Sequence, residues 1–394
     1  MIDEITELLE RSVDRIYPTR EALEKELRSG KKMRVYLGVD PTGPHLHLGH
    51  ATNLLLLKKF QNLGHEIIFL IGDFTAKIGD PTDKLAPRVP LSEKEIKMNL
   101  KTFKEQAEKV INFSGKNAAK VRFNSEWHKK MNFAEVISLA EHFTVQQMEE
   151  RDMFEKRKNE GKAIGLNEFL YPLTQGYDSV ALDTDIEIGG TDQTFNMLAG
   201  RKLMRELKHK EKFVMTTKLL ENPKTGKKLM NKSEGGLINL DDEPREMFGK
   251  VMALPDEAIL PVAEFSTDMV LAEMKKLGEE KNPRDAKLKL AYEVVRLYHS
   301  EKEAENAEEN WIKTFSKKET PSEIPQLKLK NKEIELIDLL LQAGVLSKTE
   351  ARRLILEKAV EIDSVLKTNP KEKLNLKGGE ILKIGKRKFF KITF

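Results

Sequence analysis

Three histidines, His45, His47 and His50, lie within six residues, close behind Asp40 and Thr42. Imidazole is a common metal ligand, so these histidines could hold a metal ion. The chain has no cysteine and no HExxH pair with a general base, and both facts weigh against a metal site. A surface turn is a second alternative, although it does not require these small and polar neighbours. The third alternative is a site for an anion such as phosphate.

The elements around these histidines favour the anion. Residues 35–39 alternate large and small side chains, as a buried strand does, and residues 51–61 have the apolar spacing of a helix. A second apolar strand is predicted at residues 67–71. The three elements form a βαβ unit, in which ligands bind at the carboxyl end of the strand. A helix N-terminus at the same point favours negative charge, and a phosphate is therefore the expected ligand.

A second cluster of polar side chains is predicted on the helix of residues 167–181. Tyr171, Gln175 and Asp178 are spaced by four and three residues, which places them on one helix face. A polar stripe beside an apolar one indicates the lining of a pocket. A short strand, residues 185–188, and a glycine-rich turn that begins at Gly189 follow. The chain has neither a GxGxxG nor a GxxxxGK[ST] motif to give this turn a known phosphate-binding role.

Residues 222–236 form a third candidate, a lysine-rich loop bounded by proline and glycine. A solvated surface loop is the simplest interpretation. A mobile cationic loop would also suit the charge that develops on a triphosphate during its reaction.

Length and composition limit the number of domains, the available chemistry and the location of the basic charge. A chain of 394 residues is long enough for two or three domains. The absence of cysteine excludes disulfides and thiol nucleophiles and is compatible with a reducing cytoplasm. The acidic N-terminus does not resemble a secretory signal, and no apolar run approaches membrane-spanning length. Residues 331–394 carry 14 Lys and Arg against 9 Asp and Glu, so the basic excess lies in this tail.

The remaining chain is mostly helical in pattern. Further predicted elements are an opening helix at about 2–16, a loop at 72–84, a helix from the capping box Ser92–Glu95 to about 111, a strand at 121–123, helices from 244 to about 316, and helices at 333–343 and 348–358. Charge with two prolines predicts a linker at 319–330.

Several motifs together resemble one family. His47-Leu48-Gly49-His50 is similar to the HIGH signature of class I aminoacyl-tRNA synthetases, and residues 36–42, YLGVDPT, resemble the bacterial tyrosyl-tRNA synthetases. The lysine-rich loop resembles the KMSKS loop, with Met230, Lys232 and Ser233 matching. It departs from that pattern because Leu229 occupies the position of the first lysine and Asn231 replaces serine. The tail resembles the αL RNA-binding module that is shared with a ribosomal small-subunit protein.

The resemblance implies an α/β fold in which a Rossmann-like parallel sheet forms the catalytic domain. The implied domains are a catalytic domain at 1–243 with an insertion at about 85–165, a helical anticodon-side domain at 244–318, the linker at 319–330 and a small α+β RNA-binding module at 331–394.

The implied reaction has two steps: ATP and L-tyrosine form tyrosyl-adenylate, and tyrosine then passes to the 3′ end of tRNA(Tyr). Residues that would act on the phosphates are Thr42, His47, His50, Lys84, Arg88, Lys228 and Lys232. Residues that would hold the nucleotide are Gly38, Asp40, Gly49, Gly190, Asp192, Met230 and Ser233. Residues that would bind tyrosine are Tyr36, Thr75, Asp80, Tyr171, Gln175, Asp178 and Gln193. Residues that would face RNA are Lys348, Arg352, Arg353 and Lys358.

The same resemblance implies Mg²⁺ as the counter-ion of ATP, no resident metal or tightly bound cofactor, a homodimer, a cytoplasmic location and no membrane contact. Two other functions stay open at this point. One is a synthetase-like RNA-binding protein that does not aminoacylate, and the less favoured one is a metal-dependent hydrolase.

Overall fold

The computed structural model describes residues 3–82, 91–150, 152–230, 236–316, 325–329, 331–363, 365–385 and 388–394. The chain divides into two compact units, Met1–Glu305 and Asn306–Phe394. In the part of the chain that is described, no helix is long and apolar enough to cross a membrane.

The first unit is built on a six-stranded sheet. Its strands are β1 (Val13–Tyr17), β2 (Arg34–Val39), β3 (Glu66–Ile71), β4 (Lys120–Phe123), β5 (Ile186–Gly190) and β6 (Phe213–Thr217). They lie in the order β1-β6-β5-β2-β3-β4, and every neighbouring pair is parallel except β1 with β6. The chain runs outward from β2 to β4 on one side and from β5 to β6 on the other. The switch point therefore lies between β2 and β5, where a ligand crevice is expected.

Helices pack around this sheet because a parallel sheet must be covered on both faces. They are α1 (Glu4–Glu10), α2 (Arg20–Arg28), α3 (Leu48–Asn62), α4 (Thr75–Ile78), α5 (Glu93–Asn99), α6 (Phe103–Glu108), α7 (Ser125–His128), α8 (Phe133–Ala140), α9 (Val145–Glu149), α10 (Asp152–Asn159), α11 (Leu166–Leu182), α12 (Thr194–Lys208), α13 (Pro244–Met252), α14 (Ile259–Ser266), α15 (Leu271–Gly278) and α16 (Pro283–Tyr298). A further helix, α17 (Glu301–Trp311), spans the boundary between the two units.

The second unit holds a five-stranded sheet, a two-stranded sheet and two helices. After a π-helical turn at Ile312–Ser316, its elements are β7 (Gln326–Lys328), β8 (Glu333–Glu335), α18 (Leu336–Gln342), α19 (Lys348–Leu356), β9 (Val360–Ile362), β10 (Val365–Leu366), β11 (Lys373–Asn375), β12 (Ile381–Ile384) and β13 (Lys388–Thr393). The sheet orders are β10-β9-β12-β13-β7 and β11-β8. Leu336, Leu339 and Leu340 of α18 pack with Ile355 of α19 in one apolar core.

The α/β class and the parallel sheet are confirmed, and so are β2, α3, β3, β4 and α11. The long opening helix is wrong beyond Glu10. Ser12 adopts a left-handed φ of 64°, which ends the helical path, and residues 13–17 pair with β6 instead. The helix predicted from Ser92 does begin there with its capping box, but a 3₁₀ turn at Leu100–Thr102 separates α5 from α6.

Three further boundaries differ from the sequence predictions. The loop at 72–84 contains α4, and the helix predicted from residue 333 begins at Leu336, after β8. The linker at 319–330 includes β7, which pairs in parallel with β13, so the C-terminal sheet recruits this segment. The separate domains at 1–243 and 244–318 stay a prediction, and helices α13–α16 lie in the first unit.

Candidate functional site

A cleft of about 420 Å³ opens at the switch point, between the carboxyl ends of β2 and β5 and the N-terminus of α3. Every described residue that the sequence assigned to phosphate, nucleotide or tyrosine lines this one cleft. They are Tyr36, Gly38, Asp40, Thr42, His47, Gly49, His50, Thr75, Asp80, Tyr171, Gln175, Asp178, Gly190, Asp192, Gln193, Lys228 and Met230. Lys84, Arg88, Lys232 and Ser233 lie outside the described residues. The structure thus brings the candidates together, and their individual roles stay predictions.

The two histidines of the signature form the N-cap of α3. The backbone N–H of Gly49 donates to His47 Nδ1 at 3.1 Å, and the N–H of His47 donates to His50 Nδ1 at 3.1 Å. Both Nδ1 atoms are therefore acceptors, which leaves the ring proton of each neutral imidazole on Nε2. Burial lowers the pKa of His47 to about 4 and holds that of His50 well below its usual range. The pair can thus donate Nε2–H bonds to an anion without carrying charge.

Neighbouring segments hold this turn in place. Gln106 of α6 accepts from the N–H of Leu46 at 2.6 Å and donates to the carbonyl of Pro44 at 2.9 Å. A Cβ at Gly49 would lie 3.0 Å from the ring of His47, so glycine leaves the imidazole its space. His45 does not join the pair, because it bonds Asp241 at 2.8 Å on the surface. In the part of the chain that is described, no group of three His, Asp or Glu side chains could hold a metal ion.

Asp40 lies among the residues assigned to the amino end of tyrosine, although the sequence placed it with the nucleotide. Its carboxylate accepts from Thr75 Oγ1 at 2.7 Å and from the Tyr171 hydroxyl at 2.8 Å. Burial raises its pKa to about 7, against the lowering effect of these two hydrogen bonds. A Cβ at Gly72 would overlap both Asp40 Oδ1 and Thr75 Oγ1, so this glycine makes the contact possible.

A second carboxylate completes this end of the cleft. Asp80 accepts from Gln193 Nε2 at 2.7 Å through one oxygen and from Thr82 at 2.7 Å through the other. The two carboxylates and Gln175 line the same cavity. This arrangement suits a cation such as a substrate ammonium group, which brings the charge that two partly buried carboxylates need.

Asp178 also lines the cleft, and three donors that the sequence did not predict surround it. Trp127 Nε1 and His128 Nε2 donate to Oδ1 at 2.8 Å each, and Asn124 Nδ2 donates to Oδ2 at 3.2 Å. Burial raises the pKa of Asp178, and the hydrogen bonds from His128 and its neighbours act against this rise. A carboxylate offers about four acceptor positions, so one is left for a hydroxyl in the cleft. Tyr36 is buried close by and shares a hydrogen bond of 2.9 Å with Ser179.

The lysine-rich loop joins the cleft through Lys228, whose ammonium lies 2.8 Å from Asp192 Oδ2. Leu229, at the position where the signature has its first lysine, is fully buried, and its N–H donates to the carbonyl of Leu220 at 2.8 Å. An apolar residue there is explained by this packing. Met230 lies against the start of α3, since a Cβ at Gly49 would be 3.7 Å from it.

In the second unit, Lys348, Arg352 and Arg353 lie exposed on α19. The prediction that Lys358 lies on this helix is wrong, because Lys358 follows the helix in a left-handed turn with φ of 58°. Leu346, which precedes α19, and Leu356, its last residue, are also exposed. A cationic face with apolar neighbours is typical of surfaces that bind nucleic acid, and RNA binding stays a prediction.

Comparisons with known proteins point to one family. Residues 28–316 match the family model of class I tRNA synthetases for tryptophan and tyrosine. The chain is 44% identical to the tyrosine–tRNA ligase of Thermotoga maritima, over 99% of this chain and 98% of that protein. It is 43% identical to the ligase of Moorella thermoacetica, over 98% of this chain and 94% of that protein. In fold it is similar to a truncated mitochondrial tyrosyl-tRNA synthetase of Aspergillus nidulans, with a TM-score of 0.69, 24% identity, and coverage of 80% of this chain and 95% of that one.

Proposed function

This chain belongs to the tyrosine–tRNA ligases among the class I tRNA synthetases, and we propose that it joins L-tyrosine to tRNA(Tyr) at the expense of ATP. The observation that carries the proposal is a single cleft that combines a neutral histidine pair at a helix N-terminus with a buried carboxylate held by three donors. The first feature suits a phosphate and the second suits a phenol.

Tyrosine binds with its ammonium group at one set of polar side chains in the cleft and with its phenolic hydroxyl at another set. Its ammonium group meets Asp40 and Asp80, with Tyr171 and Gln175 beside them. Its phenolic hydroxyl donates to the remaining acceptor position of Asp178 and bonds the hydroxyl of Tyr36. Charge-assisted hydrogen bonds are about twice as strong as neutral ones, so Asp178 contributes most to the choice of tyrosine over phenylalanine. Phenylalanine would leave these buried groups unpaired.

The first chemical step is a displacement at phosphorus. A carboxylate oxygen of tyrosine attacks the α-phosphorus of ATP, the bond to the bridging oxygen breaks, and pyrophosphate leaves with the electron pair. Nε2–H groups of His47 and His50 stabilise the negative charge as it shifts, while the N-terminus of α3 favours the anion. Lys228 and Lys232 accompany the leaving pyrophosphate. Positioning and charge stabilisation supply the rate, and no covalent enzyme intermediate forms.

In the second step a ribose hydroxyl at the 3′ end of the tRNA attacks the carbonyl carbon of tyrosyl-adenylate, and AMP leaves. The exposed cations of α19 bind tRNA phosphates. Mg²⁺ enters as the counter-ion of ATP and takes most of its oxygen ligands from the phosphates, since it prefers such oxygens. A cytoplasmic location follows from the need to meet tRNA.

A homodimer is part of the same proposal. Phe133 and Ile137 lie one turn apart on α8, and their exposed fractions are 80% and 48%. Leu166, at the start of α11, is 80% exposed. An exposed apolar pair of this size on one helix, Phe133 and Ile137, is typical of an interface. Sedimentation of the wild type and of a Phe133→Asp variant tests this part, and a wild-type monomer would contradict it.

The main experiment is amino-acid-dependent ATP–pyrophosphate exchange without added zinc, followed by charging of bacterial tRNA. Tyrosine should support both reactions. An RNA-binding protein without aminoacylation would show neither, and a metal-dependent hydrolase would consume ATP without regard to tyrosine. Neither alternative is favoured, because the ligase relatives match over nearly the whole chain.

A further inference from the structure

A buried ion pair that the proposed chemistry does not use lies at the wall of the cleft, with Glu187 in its lining and Lys212 behind it. Lys212 stands immediately before β6 and Glu187 lies on β5, and their side chains are 0% and 3% exposed. Lysine is seldom fully buried unless it is paired, because removing a charge from water is costly. A fully buried pair that joins β5 to the residue before β6 therefore requires an explanation in function or in packing.

All three protons of the Lys212 ammonium have acceptors. Nζ donates to the carboxylate of Glu187, to Ser179 Oγ at 2.7 Å and to the carbonyl of Met197 at 3.1 Å. This saturation fixes the orientation of the ammonium group. The space for it comes from Gly200 of α12, where a Cβ would lie 2.6 Å from Nζ and 2.7 Å from Ser179 Oγ.

Two hydrogen-bonded arms run from this pair to the lining of the cleft. One passes through Ser179, whose hydroxyl lies 2.9 Å from that of Tyr36, and Nζ also lies 5.9 Å from the centre of the Tyr36 ring. The other passes through Glu187, which accepts from Gln175 Nε2 at 3.2 Å. Tyr36 and Gln175 both line the cleft.

We propose that Lys212 is a positioning residue for tyrosine recognition, which holds Tyr36 through Ser179 and Gln175 through Glu187. This inference rests on the proposed function, since Tyr36 and Gln175 are the groups that meet the phenol and the amino end. Lys212 itself lies behind them and touches no substrate. By fixing the Ser179 hydroxyl and the Glu187 carboxylate, it keeps both cleft residues in the orientation that tyrosine needs.

The test compares Ser179→Ala with the double variant Lys212→Met, Glu187→Leu. Ser179→Ala breaks the arm to Tyr36, and it also removes one acceptor of the Lys212 ammonium and the 3.3 Å hydrogen bond from Ser179 to Glu187. The double variant removes the whole pair with apolar side chains of similar size, an exchange that is often tolerated, whereas removing one partner strands a buried charge. Lys210→Met is the matched control: it makes the same change two residues away, at a lysine that pairs with Asp183 and Asp185.

The measurements are KM for tyrosine, KM for ATP, and the ratio of kcat/KM for tyrosine to that for phenylalanine in pyrophosphate exchange. Ser179→Ala should lower this ratio by about threefold to tenfold, the loss of one neutral hydrogen bond. The double variant should also raise KM for tyrosine, with KM for ATP unchanged. A purely structural role would lower the melting temperature or the active fraction and leave these values alone.

The outcomes separate this inference from the proposed function. If the wild type shows no tyrosine-dependent exchange, the proposed function fails. If the wild type is active but both variants keep its ratio and its KM for tyrosine, as Lys210→Met should, the role of Lys212 is refuted. Should the double variant not fold, Ser179→Ala alone decides.

Discussion

Replacing Asp178 by asparagine is the most informative change in the cleft. The amide has nearly the shape of the carboxylate but lacks its charge. It keeps one oxygen for Trp127 and His128, and its NH₂ group then faces Asn124 and the phenol of the substrate. The substrate hydroxyl thus loses a charged acceptor. A hydrogen bond to a charged group contributes about 1.5–3 kcal/mol, which corresponds to roughly 10- to 150-fold in kcat/KM.

The assay is pyrophosphate exchange with tyrosine and, separately, with phenylalanine. Phenylalanine has no hydroxyl that could lose its acceptor, so kcat/KM for phenylalanine should change little. The ratio of kcat/KM for tyrosine to that for phenylalanine should therefore fall by roughly the same 10- to 150-fold. Asp185→Asn is the control, because Asp185 is also mostly buried but bonds the backbone of Arg34 outside the cleft. An unchanged wild-type ratio in Asp178→Asn would refute the role of Asp178 as the charged acceptor of the phenol. Equal losses for both amino acids would reduce Asp178 to a structural role.

Four further changes test other parts of the site. Tyr36→Phe removes a neutral hydroxyl and should lower the tyrosine-to-phenylalanine ratio by about twofold to tenfold in the same exchange assay; an unchanged ratio would place the phenol elsewhere. Because the pKa of Asp40 is raised to about 7, the carboxyl is neutral below that pH and charged above it, so kcat/KM for tyrosine should rise with pH through about 7. Asp40→Asn should abolish that rise, and a persistent rise would assign it to another group. Lys232→Ala should lower the rate of adenylate formation far more than it weakens ATP or tyrosine binding, as stopped-flow measurements can show, and a loss confined to binding would contradict its role in the transition state. Deleting residues 325–394, which removes the whole C-terminal sheet, should leave adenylate formation intact while it weakens tRNA charging and the salt dependence of tRNA binding, whereas equal loss of both steps would contradict an RNA role.

The sequence predicts the centre of the fold well because its signals there are local. The alternation at 35–39 and the helical spacing at 51–61 identify β2 and α3 without knowledge of any partner. Strand β1 is different, since it exists only by pairing with β6, about 200 residues later in the chain. The same holds for β7, whose three residues become a strand only beside β13.

In the site, too, the residues with a local sequence pattern are predictable and those that depend on distant parts of the chain are not. Asp178 is predictable, because its helix spacing with Tyr171 and Gln175 marks a polar stripe. Its three donors are not, since the turn after β4 has no periodic pattern and lies about 50 residues away in sequence. Lys212 resembles any surface lysine until the close crossing of α11 and α12 encloses it, where a Cβ at Gly176 would lie 3.1 Å from the backbone nitrogen of Gly200.

The most direct test of the account supplies tyrosine and phenylalanine together, at equal concentration, to the wild-type protein with ATP, Mg²⁺ and bacterial tRNA. The measured quantity is the amount of each amino acid esterified to tRNA. A cleft that holds Asp178, Tyr36 and a neutral histidine pair at α3 predicts that tyrosine is charged almost alone. Equal charging of both amino acids, or no charging at all, would contradict it.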